Sequence, residues 1–193
     1  MSWSFSQNVR EAQAVTALPS SPEDGDQIIF MDSLSAPTYA WHFRYVAAKS
    51  SNKWQFIGGA AIEEEVATAQ TIGSSGSYVA LATAGPTVTV PLAGDYLVVF
   101  GCTIVGTAAA AETRDYVQYM SFDVGGTGAV DADAVSMRTR NDSAAPEYSL
   151  ARQIKKTGLA ASTALTSKYK ASGGSNASFK NRHISVVPIA VGG

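Results

Sequence analysis

The sequence predicts an all-β fold, in which a jelly-roll β-sandwich follows a small tryptophan-rich β-meander. Two observations predict it. One is a central stretch, Thr87 to Val105, with the pattern of a short strand, a turn and a long strand. The other is the recurrence of short alternating apolar segments, separated by turns rich in Gly, Pro, Asn and Ser, along the rest of the chain.

The central stretch carries the strongest structural signal. Val88 and Val90 alternate with threonines, and Pro91 closes that strand because proline has no backbone donor. Gly94 allows a positive φ where the chain reverses or bends. In the long strand that follows, one face carries five apolar side chains, which are Tyr96, Val98, Phe100, Cys102 and Ile104.

The other face of this long strand carries Leu97, Val99 and Val105. A strand that is apolar on both faces is expected to be covered on both, by a second sheet or by neighbouring subunits. We therefore predict that Leu97, Val99 and Val105 form a subunit contact. The substitution Val99→Glu is expected to disrupt assembly or folding.

Before this stretch, the chain divides into an N-terminal arm and the meander. Residues 1–17 form an ambiguous arm, in which a short helix and a segment docked on a neighbour are both open. Residues 18–60 begin with turn chemistry and continue with three short strands with aromatic faces. On the second strand, Tyr39, Trp41, Phe43 and Tyr45 share one face, and His42 and Arg44 share the other.

Three phrases in the meander resemble a module of tailed-bacteriophage virion proteins, commonly described as minor tail proteins, tail fibres or head fibres. The phrases are Leu18-Pro19 with Pro22-x-Asp24-Gly25-Asp26-Gln27, Trp41-x-x-Arg44-Tyr45, and Trp54-x-Phe56-x-Gly58-Gly59. Val90-Pro91-Leu92-Ala93-Gly94-Asp95-Tyr96 resembles the jelly roll that often follows. It is also similar to strands of trimeric tumour-necrosis-factor and C1q-like domains. The resemblance covers roughly residues 18 to 191 and implies a homotrimeric virion component.

The rest of the chain is predicted as a linker and the jelly roll. Residues 61–76 carry Glu63-Glu64-Glu65 and small residues, the pattern of a solvated connector. Residues 77–193 are predicted to contain about eight strands, beginning at Tyr78 and ending with the apolar run near Ile189. The small-residue segment Gly106 to Glu112 is either a loop between sheets or a close subunit contact.

Composition excludes several classes of function. The net charge is −2 without a basic run, so the electrostatic pattern of a nucleic-acid-binding protein is missing. Charged residues make up 16% of the chain against roughly 25% in typical soluble domains. This favours either burial against partners or a β-rich domain with Ser/Thr-rich loops. The sequence has neither a signal peptide nor a membrane span, so we expect a soluble chain without membrane insertion.

Few residues have the pattern of a catalytic or metal-binding site. The single cysteine, Cys102, lies mid-strand and is expected to be an inert core residue. His42 and His183 have no second histidine at metal-ligand spacing. Asp123, Asp131 and Asp133 carry oxygens that suit calcium, but their spacing matches no known calcium loop, and we expect them to solvate a turn. No cofactor is predicted.

Three hypotheses about function follow. The first is a structural and attachment component of a phage particle, located in the virion, with other virion proteins and a host-surface glycan as partners. The second is a carbohydrate-binding module in which Trp41 and Tyr45 stack on sugar rings, although aromatic residues in a small meander more often form its core. The third, an enzyme such as a fibre-borne hydrolase, ranks last because no carboxylate pair is suitably placed.

Overall fold

The structure, a computed structural model, describes residues 11–106, 116–139, 147–172 and 176–192. Within these ranges every element of regular structure is a β-strand except one short 3₁₀ helix, which confirms the predicted all-β fold. It divides into two compact units, which are the described parts of Met1–Ala61 with Pro188–Gly193, and Ile62–Val187. Each unit is described by itself.

The first unit contains the predicted meander. Its strands β2, β3 and β4 pair antiparallel in sequence order, and β1 pairs parallel to β2. The last residues of the chain complete this unit, because Ala190 and Val191 pair with Gln55 and Trp54. The bounds are β1 (Gln13–Val15), β2 (Gln27–Met31), β3 (Ala40–Tyr45) and β4 (Trp54–Gly59).

Aromatic side chains form the core of the first unit. Trp41 and Phe43 are fully buried, and their rings meet edge to face with centroids 6.2 Å apart. Gly59 permits the close approach of β4 to β3, since its φ is +134° and a Cβ there would lie 2.3 Å from the Ala40 carbonyl oxygen. The alternation predicted for β3 is confirmed: Trp41 and Phe43 are buried, and Arg44 is exposed.

The second unit is a two-sheet sandwich. Its elements are β5 (Ile62–Val66), β6 (Gln70–Ile72), β7 (Ser75–Val79), β8 (Thr87–Val90), β9 (Gly94–Gly106), β10 (Tyr116–Val124), a 3₁₀ helix (Asp131–Asp133), β11 (Val135–Thr139), β12 (Glu147–Leu159), β13 (Thr163–Ser172) and β14 (Ala177–Val191). In one sheet, which we call the β9 sheet, β5 and β6 both pair with β14, β14 pairs with β9, and β9 pairs with β12. In the other, the β13 sheet, β7 and β8 pair with β13, then come β10 and β11.

This strand order is that of a jelly roll, because early strands pair with late ones in both sheets. Phe100 on β9 and Phe122 on β10 meet between the sheets with centroids 5.0 Å apart. The central stretch joins the sheets: β8 belongs to the β13 sheet and β9 to the β9 sheet. The Pro91 to Asp95 turn therefore bends the chain from one sheet to the other and does not close a hairpin.

The structure corrects the predicted linker. Residues 61–76 form β5 and β6 and begin β7. The glutamate run was predicted to be a connector because it has few apolar residues, but β5 is held by backbone pairing with β14. In addition, Glu64 Oε2 accepts a hydrogen bond from the Thr87 N–H at 2.9 Å. The sandwich thus begins at Ile62, ahead of the predicted start at residue 77.

The N-terminal arm is only partly described. Residues 1–10 lie outside the described ranges, and Gln13–Val15 form the parallel strand β1. Most of the segment Gly106 to Glu112 also lies outside them, so both interpretations of that segment stay predictions.

Candidate subunit interface on the outer face of the β9 sheet

The two faces of β9 differ as the alternation predicted. Tyr96, Val98, Phe100 and Ile104 are 0% exposed and Cys102 is 2% exposed, so this face lies in the core of the sandwich. Leu97, Val99 and Val105 are half-buried on the opposite, outer face of the β9 sheet. They share that face with side chains of the neighbouring strands β12 and β14. Their role as a subunit contact stays a prediction.

Polar side chains of β12 border these aliphatic residues. Lys155, Gln153 and Glu147 stand directly opposite Leu97, Val99 and Val105, respectively. The charges are paired within the chain: Lys155 Nζ lies 3.2 Å from Asp95, and Lys180 Nζ lies 2.8 Å from Glu147. The β9–β12 part of the face therefore presents aliphatic and uncharged groups, with these two ion pairs beside them.

A shallow depression lies beside Gly101. A Cβ at this glycine would come within 2.2 Å of the Leu150 carbonyl oxygen and 2.8 Å of His183 Cε1. The missing side chain lets β12 and the His183 ring approach β9 closely. The depression measures about 340 Å³ and is lined by Glu65, Cys102, Thr103, Ser149, Leu150, Ala151, Asn181 and His183.

A second depression lies along the β5–β14 pair. Glu65 stands opposite His183, and Glu63 stands opposite Ser185. Residues directly opposite in an antiparallel pair share a face, so these four side chains lie on one side of the sheet. This depression measures about 380 Å³ and is lined by Glu63, Glu64, Glu65, His183, Ile184 and Ser185.

The face lacks the contacts that activate a nucleophile. Among the described residues, no hydrogen bond joins His183 to a carboxylate or a hydroxyl, and no group of His, Cys, Asp and Glu could hold a metal ion. Burial raises the pKa of the Cys102 thiol to about 12, so the thiol is neutral near pH 7. His42 lies in the first unit, where its Nε2 is 2.9 Å from Gln27 Oε1.

Asp123, Asp131 and Asp133, whose oxygens suit calcium, make hydrogen bonds or ion pairs within the chain. Asp131 pairs with Lys170, and Asp133, which is 9% exposed, pairs with Lys156. Asp123 Oδ1 accepts the Gly126 N–H at 2.6 Å. This corrects the expectation that all three solvate a turn, because two of them neutralise lysines.

Trp41 is not available for stacking on a sugar. It is 0% exposed, and its indole N–H donates to the Ala60 carbonyl at 2.7 Å. Tyr45 is half-buried, with its ring 5.2 Å from that of Trp54. The structure therefore corrects the glycan-stacking role of Trp41, since its burial removes the ring face that a sugar would contact.

Sequence reasoning missed the recess around Gly101, Glu65 and His183. The glutamate run has the pattern of a solvated connector, and the sequence shows no second histidine at metal-ligand spacing from His183. Only the pairing of β5 with β14 brings Glu65 opposite His183. A glycine within an otherwise continuous strand was the one available signal, because such glycines often mark close backbone approach.

No protein-family model matches the sequence, and no curated protein is similar to it. Several solved structures show some similarity to this chain, among them the following three. A chain of dimeric latent PorU from Porphyromonas gingivalis is 17% identical over 70% of this chain, with a TM-score of 0.34. Chains of infectious bursal disease virus, Gx and Gt strains, are 10% and 14% identical over 78% and 91% of this chain, with TM-scores of 0.39 and 0.36.

Two of these three similar chains thus come from a virus. This chain spans 14%, 40% and 42% of the length of the three chains, respectively. At TM-scores below 0.5 the likenesses do not identify a function. Within the described ranges, no helix has the length and hydropathy that a membrane-spanning helix requires.

Proposed function

We propose that this chain is a structural subunit of a bacteriophage particle, of the minor tail, fibre or head-decoration type, which assembles as a homotrimer. The observation that carries the proposal is the outer face of the β9 sheet. There, the aliphatic residues Leu97, Val99 and Val105 stay half-exposed, and the charged residues that stand opposite two of them, Lys155 and Glu147, are ion-paired within the chain. The proposal assigns no catalytic activity, no nucleic-acid binding and no membrane insertion.

A second copy of the chain suits this face for two reasons. Half-exposed aliphatic side chains gain stability when a partner removes the rest of their surface from water. The ion pairs Lys155–Asp95 and Lys180–Glu147 already compensate the charges beside these residues, so covering the β9–β12 part of the face leaves neither of these two charges on β12 without its counter-charge. The low charged fraction of 16% agrees with a chain that buries much of its surface.

The virion assignment is supported by the sequence. The proline- and tryptophan-rich phrases that resemble the phage module fall in the first unit, where Trp41 and Trp54 are core residues. The phrase Pro91 to Tyr96 connects two sheets with jelly-roll order. In this proposal the first unit attaches the chain to other virion proteins, and the second unit forms the trimer, with loops that are free to contact the host surface.

The proposal predicts a mass of three chains of 20.1 kDa, about 60 kDa, by sedimentation or light scattering at micromolar concentration. Val99→Glu is expected to shift the protein to monomer, because it would place a charge at the centre of the buried face. Val117→Glu is the matched control, since Val117 is a half-buried valine on β10 in the other sheet. It is expected to leave the trimer intact.

Two results would contradict the trimer. One is a stable wild-type monomer at micromolar concentration, and the other is a Val99→Glu protein that is soluble and assembled like the wild type. The virion assignment is tested separately, by labelling purified particles with an antibody to this chain and locating the label by electron microscopy. Absence of the chain from intact particles would refute it.

A carbohydrate-binding module stays the second candidate, and the polar depressions are the observation that favours it. Their volumes, about 340 and 380 Å³, fall in the range of small-molecule sites, and they are lined by carboxylates, hydroxyls and an amide. This candidate predicts glycan binding by the isolated chain that Glu65→Ala abolishes. A trimer formed through the same face would cover the depressions, whereas glycan binding requires them to be open to solvent.

A further inference from the structure

A fully buried arginine lies between the two sheets of the sandwich. Arg182 on β14 is 0% exposed, and its guanidinium carbon lies 5.5 Å from the ring centre of Tyr169 on β13. Its Nη1 donates to the Thr83 carbonyl at 3.3 Å, and its Nη2 donates to the Thr68 carbonyl at 3.1 Å. These bonds attach two connecting segments, those that precede β6 and β8, to the edge of the sandwich.

No carboxylate of the described chain forms an ion pair with Arg182. The ionisable side chains beside it are Tyr169 and Cys102, and burial raises the pKa of each to about 12. Both are therefore neutral near pH 7, whereas arginine stays protonated. A buried cation that meets carbonyl dipoles and an aromatic ring but no counter-charge is strongly unfavourable.

Three polar groups lie close together beside this cation, and none of them forms a hydrogen bond of ordinary length and angle. They are the Arg182 Nε–H, the Tyr169 hydroxyl and the Ser167 hydroxyl. Each of them can donate a hydrogen bond. The two hydroxyl-bearing side chains meet at Gly85, where an added Cβ would lie 2.8 Å from Tyr169 Oη and 3.1 Å from Ser167 Cβ. Gly85 thus packs directly against these two side chains, and a larger residue at this position would clash with them.

We propose that Arg182, Tyr169 and Ser167 bind a small monovalent anion of chloride size within the sandwich. The anion accepts hydrogen bonds from the three donors and supplies the charge that the protein does not. The site joins β13, β14 and the segments that carry Thr68 and Thr83. A bound anion therefore stabilises the folded arrangement of these two strands and two segments. The inference is independent of the virion assignment and of the trimer.

The test is the unfolding of the full chain in sodium chloride and in sodium gluconate at one ionic strength. Gluconate serves as the reference because it is too large for a site enclosed by these side chains. A ligand that binds only the folded state stabilises it by mass action. Above the dissociation constant, each tenfold rise in chloride is therefore expected to multiply the folded-to-unfolded ratio about tenfold, up to the point where gluconate is fully replaced.

Conservative variants locate the site. Tyr169→Phe and Ser167→Ala each remove one donor and are expected to weaken the chloride dependence at least severalfold while the chain still folds. Tyr119→Phe is the matched control, because it removes a tyrosine hydroxyl from the outer face of the same sheet. It is expected to keep the wild-type chloride dependence.

A crystal grown in bromide provides the structural readout. An anomalous peak within hydrogen-bond distance of Arg182 Nε and the two hydroxyls supports the proposal. Equal stability in chloride and gluconate overturns it, as does a chloride dependence that Tyr169→Phe leaves unchanged. Electron density at this position without anomalous signal also overturns the proposal, since a buried water molecule then satisfies the same donors.

Discussion

Lys170 on the outer face of the β13 sheet illustrates how single side chains acquire roles that spacing does not predict. Its Nζ pairs with Asp131 and lies 4.1 Å from the ring centre of Tyr119 and 4.9 Å from that of Tyr78. Cation–π contacts of this kind add to the ion pair. The hydrogen bond from Lys170 is the main cause that holds the pKa of the Asp131 carboxyl below its usual range. The 3₁₀ helix is thereby attached to the sheet.

This contact predicts a dependence of stability on pH. A carboxyl whose pKa is lower in the folded state contributes stability above its unfolded pKa, roughly 3.9, and loses it as the pH falls through its folded pKa. Asp131→Asn is therefore expected to lower the free energy of unfolding at pH 7 by about 0.5–1 kcal/mol, as for an exposed pair. The difference from wild type should shrink as the pH falls below that unfolded pKa, as measured by urea unfolding.

A double-mutant cycle with Lys170→Met isolates the pair. If Asp131→Asn costs the same in the presence and in the absence of Lys170, the ion pair is not the cause. A difference that persists undiminished at low pH would contradict the proposed protonation.

At the scale of elements, the pairing of β9 with β12 defines the candidate interface. The two strands pair from Glu147 opposite Val105 to Leu159 opposite Gly94, with an irregularity after Lys156. Gly101 lies in the middle of this pairing, where the Leu150 carbonyl and the Ala151 backbone occupy the space that a side chain would need. Because both are backbone atoms, neither can rotate away as a side chain does.

Gly101→Ala is therefore expected to destabilise the chain by about 1–3 kcal/mol, the usual cost of overpacking. The measurement is the free energy of unfolding in urea. Gly76→Ala is the matched control on β7, because a Cβ there meets nothing within 4 Å. It is expected to be neutral or slightly stabilising, since alanine restricts the unfolded chain. Equal costs at the two glycines would show that the close approach at Gly101 is unimportant.

At the scale of the whole molecule, the first unit is built from both ends of the chain. Ala190 and Val191 pair with β4, and the Lys53 N–H donates to the Gly192 carbonyl at 2.7 Å. Val191 is 0% exposed, so its side chain belongs to the core of this unit. Such a unit is completed only after the last residues of the chain are in place.

A chain that ends at Val187 is expected to lose the ordered packing of Trp41 and Trp54. The removed residues include the strand segment that pairs with β4, and the remaining unit, β1 to β4, is too small to bury much surface by itself. The measurements are the near-ultraviolet circular dichroism and a red shift of tryptophan emission. The full chain carrying Ile189→Ala is the control, since Ile189 is only half-buried. An unchanged near-ultraviolet spectrum of the shortened chain would refute the prediction.

The sequence by itself determined the all-β class, the aromatic core face of β3 and the two faces of β9, because side chains alternate with period two along any strand. Only the tertiary structure decided that Glu63 to Glu65 lie in a strand, that Glu65 stands opposite His183 and that Arg182 is buried with no carboxylate partner among the described residues. These facts depend on which distant strand pairs with which. Such pairing comes from backbone hydrogen bonds, which every residue type except proline can make, so local composition does not reveal it.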